Sequence, residues 1–299
     1  MRARTLFLLG ALGACTPTGP GTPAIPPSSA RAGTDGADGP FGAARVWLLT
    51  QARVTERVWL EVHFPADASG NLARDRAPYP TVVLVQGGLV AVERYRWLAQ
   101  HFATRGYVVV SPAHALDLAI FQPENATASL RALRAATSVP GHTLEGAVSP
   151  TGRVVAMGHS LGGVISVWQW IDRGFDGVAL LASRPADGSR IDLRPGAPVL
   201  SITGSADGLA SVESVTRGFS AFSAPRMLAV VDGMNHFDWT DEATAGEMAR
   251  DRPATRPRER TRIDALRVID TWLDATLRAD PAAARALDVG MFAGVTVTR

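Results

Sequence analysis

Ser160 lies in Gly158-His159-Ser160-Leu161-Gly162, a G-x-S-x-G pentapeptide. A serine hydroxyl is a weak nucleophile at neutral pH. It becomes a strong one when a base takes its proton, and its Oγ must also stand clear of the backbone around it. The neighbouring residues meet the second condition. Arg153-Val154-Val155-Ala156-Met157 reads as a buried strand, and Gly163-Val164-Ile165-Ser166-Val167-Trp168-Gln169-Trp170 as a buried helix. A sharp turn between strand and helix holds the serine in strained geometry with Oγ above the sheet. The flanking glycines leave room for that turn and for close helix–strand packing.

The base is sought among six histidines. His236 sits in Asp232-Gly233-Met234-Asn235-His236-Phe237, just beyond the apolar run Met227-Leu228-Ala229-Val230-Val231. Loops at the carboxyl ends of parallel strands are where such sheets collect reactive groups, so His236 is the expected base. His159 is expected to turn away from Oγ and to pack or cap locally. His63 lies on an alternating strand and is expected to face solvent or a neighbour. His101 falls inside a helix and His142 in a loop. His114, after the Tyr107 strand, is a minor candidate.

An imidazole base needs a carboxylate to orient it. Asp207 follows the Val199 strand in Thr203-Gly204-Ser205-Ala206-Asp207-Gly208 and takes that role, with Asp232 and Asp187 as substitutes. The oxyanion of an acyl-transfer intermediate needs two preorganised donors. One is expected to be the Leu161 N–H, directly after the serine. The other is expected from Gln86-Gly87-Gly88-Leu89, where Gly88 is assigned and Leu89 is the alternative. No ligand-spaced cluster of His, Asp or Cys calls for a metal, and no cofactor is expected.

These residues must be positioned by a frame of alternating elements. Val46–Leu49 and Val58–Phe64 fit an antiparallel pair. Thr81–Val85 and Tyr107–Val110 are continuous β-branched or aromatic runs, as expected of strands buried on both faces. Helices are expected over about 91–105 and 126–136. Gly177–Ala182, Pro198–Ile202 and Met227–Val231 are further strands, the last of these closing the set. Ile263–Leu277 is an amphipathic closing helix. The pattern predicts a mostly parallel, doubly wound sheet with helices on both faces. Trp168 and Trp170 are expected in the core. The Arg-rich stretch Arg250–Arg262 reads as a solvated lead-in to the closing helix. After Asp280-Pro281 a short helix and a loose tail are expected.

The amino terminus reads as a targeting segment. Arg2 and Arg4 precede the short apolar run Thr5–Leu12, and Leu12-Gly13-Ala14-Cys15 resembles a lipoprotein lipobox. Residues 1–14 are then a signal peptide, Cys15 is lipidated, and the Pro/Gly/Ser-rich residues 15–40 tether a domain spanning 41–299. The expected address is the bacterial cell envelope, periplasm-facing or outer-membrane, with membrane contact through the lipid anchor. The precursor carries 30 basic and 28 acidic side chains; losing Arg2 and Arg4 leaves 28 against 28. The modest positive charge thus belongs to the targeting segment and is no evidence for nucleic-acid binding; no nucleic-acid partner is expected. Cys15 is the only cysteine, so the mature chain forms no internal disulfide.

Together, Val82–Gly88, Gly106–Ser111, Gly158–Gly163, Val199–Asp207, Val230–Phe237 and the Ile269–Ala284 segment resemble the α/β-hydrolase superfamily. The likeness is to its lidless dienelactone-hydrolase-like and cutinase-like members. It implies the α/β-hydrolase fold and a triad in the order Ser160, Asp207, His236. It also implies a monomeric carboxylic ester hydrolase acting on a small-molecule or polymeric ester. Ser183–Ala197 is too short for a large cap domain, which implies an open cleft. The chain departs from the family pattern in two places: Gln86 stands where a His is usual, and Ala113-His114 where an Asp is frequent. Thioesterases and amidases use the same triad, and a lipoprotein using a hydrolase scaffold only for binding is the non-enzymatic alternative.

Overall fold

The computed structural model describes residues 39–53, 56–186, 191, 196–223 and 225–299. The expected signal peptide, Cys15 and nearly all of the tether lie outside the described residues, as do Asp187 and the side chain of Trp170. The chain runs β1 (Gly42–Arg53), β2 (Glu56–Ala66), β3 (Thr81–Val85), α1 (Arg96–Thr104), β4 (Val108–Pro112), α2 (Asn125–Thr137), β5 (Val154–His159) and α3 (Leu161–Arg173). It continues through β6 (Gly177–Leu181), β7 (Val199–Gly204), α4 (Val212–Phe219), β8 (Arg226–Val231), α5 (Ala245–Met248), α6 (Arg258–Leu277), α7 (Pro281–Val289) and β9 (Val295–Thr298).

The central strands are apolar at every position because both of their faces are covered. In β3 and β5, Val82, Leu84, Val155 and Met157 point into a core shared with Leu98 and Phe102 of α1 and Ile269 and Leu273 of α6. Val83, Val85, Val154 and Ala156 point the other way, toward Leu133 of α2, Ile165 of α3 and Val215 of α4. An alternating strand could satisfy only one such face. The described strands form one sheet in the order β1-β2-β4-β3-β5-β6-β7-β8-β9. The pairs from β4 through β8 are parallel; β1 with β2, β2 with β4, and β8 with β9 are antiparallel. The strand order reverses at β3, which has β4 on one side and β5 on the other. A crevice opens at the carboxyl ends of strands where the order reverses, because the following connections leave in opposite directions. Residues 182–198 alone connect β6 to β7, too few for a cap domain.

Two expectations are corrected, and one open alternative is decided. Met227–Val231 is not the final strand: after α7 the tail returns as β9 and pairs with β8, Leu228 opposite Thr298 and Val231 opposite Val295. Four residues alternating Val and Thr on a sheet edge carry too little apolar signal to be read as a strand. Trp168 is not in the core but 37% exposed. It follows Leu161 and Val164 at i+7 and i+4 on one face of α3, the face that begins at the cleft. Of the two settings expected for His63, solvent or a neighbour, the structure has the second: it is 2% exposed, because β2 is flanked by β1 and β4 and covered by α1.

Candidate active site

Ser160 joins β5 to α3 with φ 52° and ψ −123°, a left-handed backbone that a β-carbon disfavours. Three hydrogen bonds hold it there. Its N–H donates to Leu181 O at 2.9 Å, and its carbonyl accepts Gly163 N–H at 3.0 Å and Ser183 Oγ at 2.5 Å. The pentapeptide glycines are needed because backbone crosses directly over them. A Cβ at Gly158 would collide with the Gly162 carbonyl, and one at Gly162 with the Val85 and Gln86 carbonyls. The second collision shows how close the elbow lies to the end of β3.

Asp207 lies in the loop between β7 and α4, and His236 in a short 3-10 turn after β8. Both are buried, and His236 Nδ1 lies 2.9 Å from Asp207 Oδ2. Since a carboxylate only accepts, Nδ1 carries the proton and Nε2 is left with a free lone pair. Asp207 Oδ1 is fixed by the N–H groups of Leu209 at 2.9 Å and Ala210 at 2.6 Å. Ser160 and His236 line one cavity of about 430 Å³, together with Leu161, Val164, Ala182 and Leu209. Among the described residues no hydrogen bond joins Ser160 Oγ to His236 Nε2. The structure thus brings together Asp207 and His236 by contact, and His236 and Ser160 by a shared cavity wall. Asp232, the other substitute carboxylate, is elsewhere: its side chain is 72% exposed and pairs at 3.9 Å with Arg256.

Three N–H groups of the loop after β3 are engaged. Gly87 N–H donates to Tyr95 Oη at 2.8 Å, Leu89 N–H to Asp117 O at 2.8 Å, and Val90 N–H to Gly87 O at 3.3 Å. No hydrogen bond among the described residues uses the N–H of Gly88 or of Leu161. Leu89, the alternative donor, is therefore spent on Asp117. Gly88 lies against the elbow, where an added Cβ would meet Leu161 Cδ2 at 3.2 Å. Two unspent N–H groups thus lie near Ser160, one in the loop after β3 and one at the start of α3.

His159 does more than pack locally. Its ring is wholly buried, with its centroid 4.6 Å from that of His236, and its Nδ1 lies 2.8 Å from Tyr95 Oη. Burial, reinforced by the nearby His236, holds its pKa well below the ordinary histidine range. It therefore stays neutral and adds no charge beside His236. Burial likewise raises the Tyr95 phenol, which keeps its proton, donates it to His159 and accepts from Gly87. A hydrogen-bonded path so runs from the β3 loop to the ring packed against His236.

Asp251 was not visible from sequence as part of this site. It lies in the Arg-rich stretch expected to be solvated, yet its Oδ2 accepts His236 N–H at 2.7 Å and Phe237 N–H at 3.3 Å. Its Oδ1 accepts Gly208 N–H at 2.8 Å. One carboxylate therefore ties the Asp207 loop to the His236 loop. A lone Asp among arginines offers no periodicity or spacing from which that role follows. Ser183, which braces the Ser160 carbonyl, was equally silent.

The chemistry open to these groups is acyl transfer: a nucleophile on a strained turn, an oriented imidazole, and a pair of backbone donors. No curated protein matches the chain. A model of the alpha/beta hydrolase family matches residues 81–262, from β3 to the first turn of α6. That match spans more than half of the sequence and contains every residue just described, and by it the chain belongs to the alpha/beta hydrolase family.

Proposed function

We propose that the protein is a serine hydrolase that cleaves carboxylic esters through an acyl-enzyme on Ser160. The observation that carries this reading is the buried 2.9 Å contact from His236 to Asp207 at the wall of the cavity that Ser160 also lines. Ser160 Oγ attacks the carbonyl carbon while His236 Nε2 takes its proton. The tetrahedral oxyanion is held by the N–H groups of Gly88 and Leu161. Collapse breaks the ester C–O bond, and His236 returns the proton to the leaving alcohol. Water, deprotonated by the same ring, then attacks the acyl carbon and restores Ser160. Asp207 keeps the proton on Nδ1 and stabilises the imidazolium that forms in each half.

The lining is mixed: Leu161, Val164, Ala182 and Leu209 offer apolar contact, and Ser183, Arg184, Ser211 and Ser214 offer polar contact, so a substrate with both kinds of group fits it. A fluorophosphonate probe tests the reading, because it reacts only with an activated serine. Labelling is expected at Ser160 alone, with p-nitrophenyl ester turnover falling roughly a thousandfold or more in Ser160→Ala. An unlabelled wild-type protein would leave a binding scaffold instead of an enzyme.

The same reading includes export and lipid attachment at Cys15, supported by the lipobox-like Leu12-Gly13-Ala14-Cys15. Cys15→Ser should move the protein from the membrane pellet to the soluble envelope fraction. Unchanged sedimentation with membranes counts against the anchor and leaves the hydrolase reading untouched.

A further inference from the structure

Three residues other than glycine adopt left-handed backbone beside the loop after β3: Leu89 (φ 61°), Leu116 (φ 54°) and Asp117 (φ 53°). Two such residues in succession are costly for L side chains, and an outlier of this kind needs a compensating contact. Leu116 does not supply it through burial, being 79% exposed. The compensation is at Asp117. Its carbonyl accepts Leu89 N–H at 2.8 Å, and its Oδ1 accepts Gln86 Nε2 at 3.0 Å. Gln86 is 1% exposed, and its Nε2 also donates to Val90 O at 3.0 Å. Asp117 thus grips the loop on both sides of Gly87-Gly88, once through a side chain and once through the main chain.

We infer that Asp117 is a positioning residue for the oxyanion donor: with Gln86 it clamps the Gln86–Val90 loop so that the Gly88 N–H, which is not engaged by Asp117, is held in place for the reacting carbonyl. The inference rests on the acyl-transfer reading. Two consecutive glycines would otherwise sample many conformations. A donor contributes to catalysis only when it is already in place as charge develops. The strained turn supplies that order from outside the loop. By holding Leu89 N–H, it also prevents a second donor from competing for the oxyanion at the wrong angle. Gln86, which stands where a histidine was expected, acquires a task as the buried arm of the clamp.

The experiment compares wild type with Asp117→Gly, Asp117→Asn and Gln86→Met. Glycine accommodates the left-handed turn and keeps the main-chain acceptor; it removes the carboxylate and adds backbone freedom at the turn, which is why Gln86→Met is compared with it. Asparagine keeps a side-chain oxygen for Gln86. Gln86→Met removes the Gln86–Asp117 bond from the other side, together with the Gln86 contacts to Val90 O and His114 Nδ1. Removing an oxyanion donor outright costs about a hundred- to a thousandfold in kcat. Loosening one should cost roughly ten- to a hundredfold in Asp117→Gly and Gln86→Met, with KM within about twofold. Affinity for an arylboronic acid, whose adduct with Ser160 places an oxygen in the same hole, should fall in parallel. Asp117→Asn should retain most of both. The inference is overturned if Asp117→Gly keeps wild-type kcat and boronate affinity, or if Asp117→Asn is as damaging as glycine. It is also overturned if Asp117→Gly and Gln86→Met both fail to melt cooperatively, which would mark the turn as merely structural. Absence of probe labelling at Ser160 in the wild type would remove the hydrolase reading itself. A labelled, active wild type with indifferent variants removes only the clamp.

Discussion

His236 and His63 are both buried imidazoles at the sheet, 3% and 2% exposed, and the protein treats them in opposite ways. His236 sits after the carboxyl end of β8, with a carboxylate on Nδ1 and a cavity at its side. His63 sits mid-strand in β2, among Arg45 and Arg96, whose charges are carried by Glu61 in the same strand at 2.5 and 2.7 Å. Neither of its ring nitrogens has a hydrogen-bond partner among the described residues. Burial, aided by the two arginines, pushes its pKa down to about 3. A general base needs an oriented lone pair, a partner for the proton it gains, and access to substrate. His236 has the orienting carboxylate and the cavity. His63 has arginines in place of the acid and packed strands in place of the cavity. Burial alone therefore does not mark a reactive histidine. What separates the two regions is the sign of the neighbouring charge and the position along the strand.

The largest test of that contrast replaces the acid. In Asp207→Asn the side-chain oxygen still accepts from Leu209 and Ala210, so the loop should stand. The group facing His236 loses its charge, and one orientation of the amide offers a donor to Nδ1. The proton then shifts to Nε2 and the lone pair facing the cavity is lost. Ester turnover should drop on the order of a thousandfold or more, with folding intact by thermal melt. Asp232→Asn, at an exposed acid closer in sequence to His236, should stay within about twofold of wild type. If the two variants lost activity equally, proximity along the chain would be the better guide and the contrast would fail.

How far the site could be read from sequence follows the same line. The strands and helices that carry apolar periodicity were legible: β3 through β8 and α6 stand where their hydrophobic runs put them. Ser160 was legible because two glycines and a strand–helix change surround it, and the structure shows both glycines crossed by backbone. Asp207 and His236 were legible only as strand-end residues; their contact depends on how two loops fold back. Asp251 and Asp117 were not legible at all. Each acts by accepting backbone or amide N–H groups from segments distant in sequence, Asp251 from 208 and 236, Asp117 from 86 and 89. A carboxylate used in that way has no partner spacing to betray it. β9 was missed for a related reason, since its pairing is decided by the free edge of β8 and not by its own four residues.

The smallest test removes the inert histidine. Leucine at position 63 has a similar volume and no polar atoms, so His63→Leu relieves two unpaired buried nitrogens. A gain of about 1 kcal/mol in unfolding free energy is expected at pH 8, read from denaturant midpoints at constant m-value. The pH dependence sharpens the prediction. The folded ring takes its proton only near pH 3, whereas the unfolded ring does so near 6.5. Between those values the unfolded chain binds more protons, so stability is full above about 6.5 and falls as pH drops toward 3, by at most about 1.4 kcal/mol per unit for one ring. His63→Leu should flatten this limb without abolishing it, because His114 is also buried and held down to about 4. Turnover at pH 8 should be unchanged, since β2 contributes no group to the cavity. An unaltered acid limb would mean that His63 is protonated in the folded protein, paired in a way its arginine neighbours argue against. Lost turnover would mean that the β2 region and the Ser160 rim are coupled, and the division between a reactive and an inert histidine would have to be drawn elsewhere.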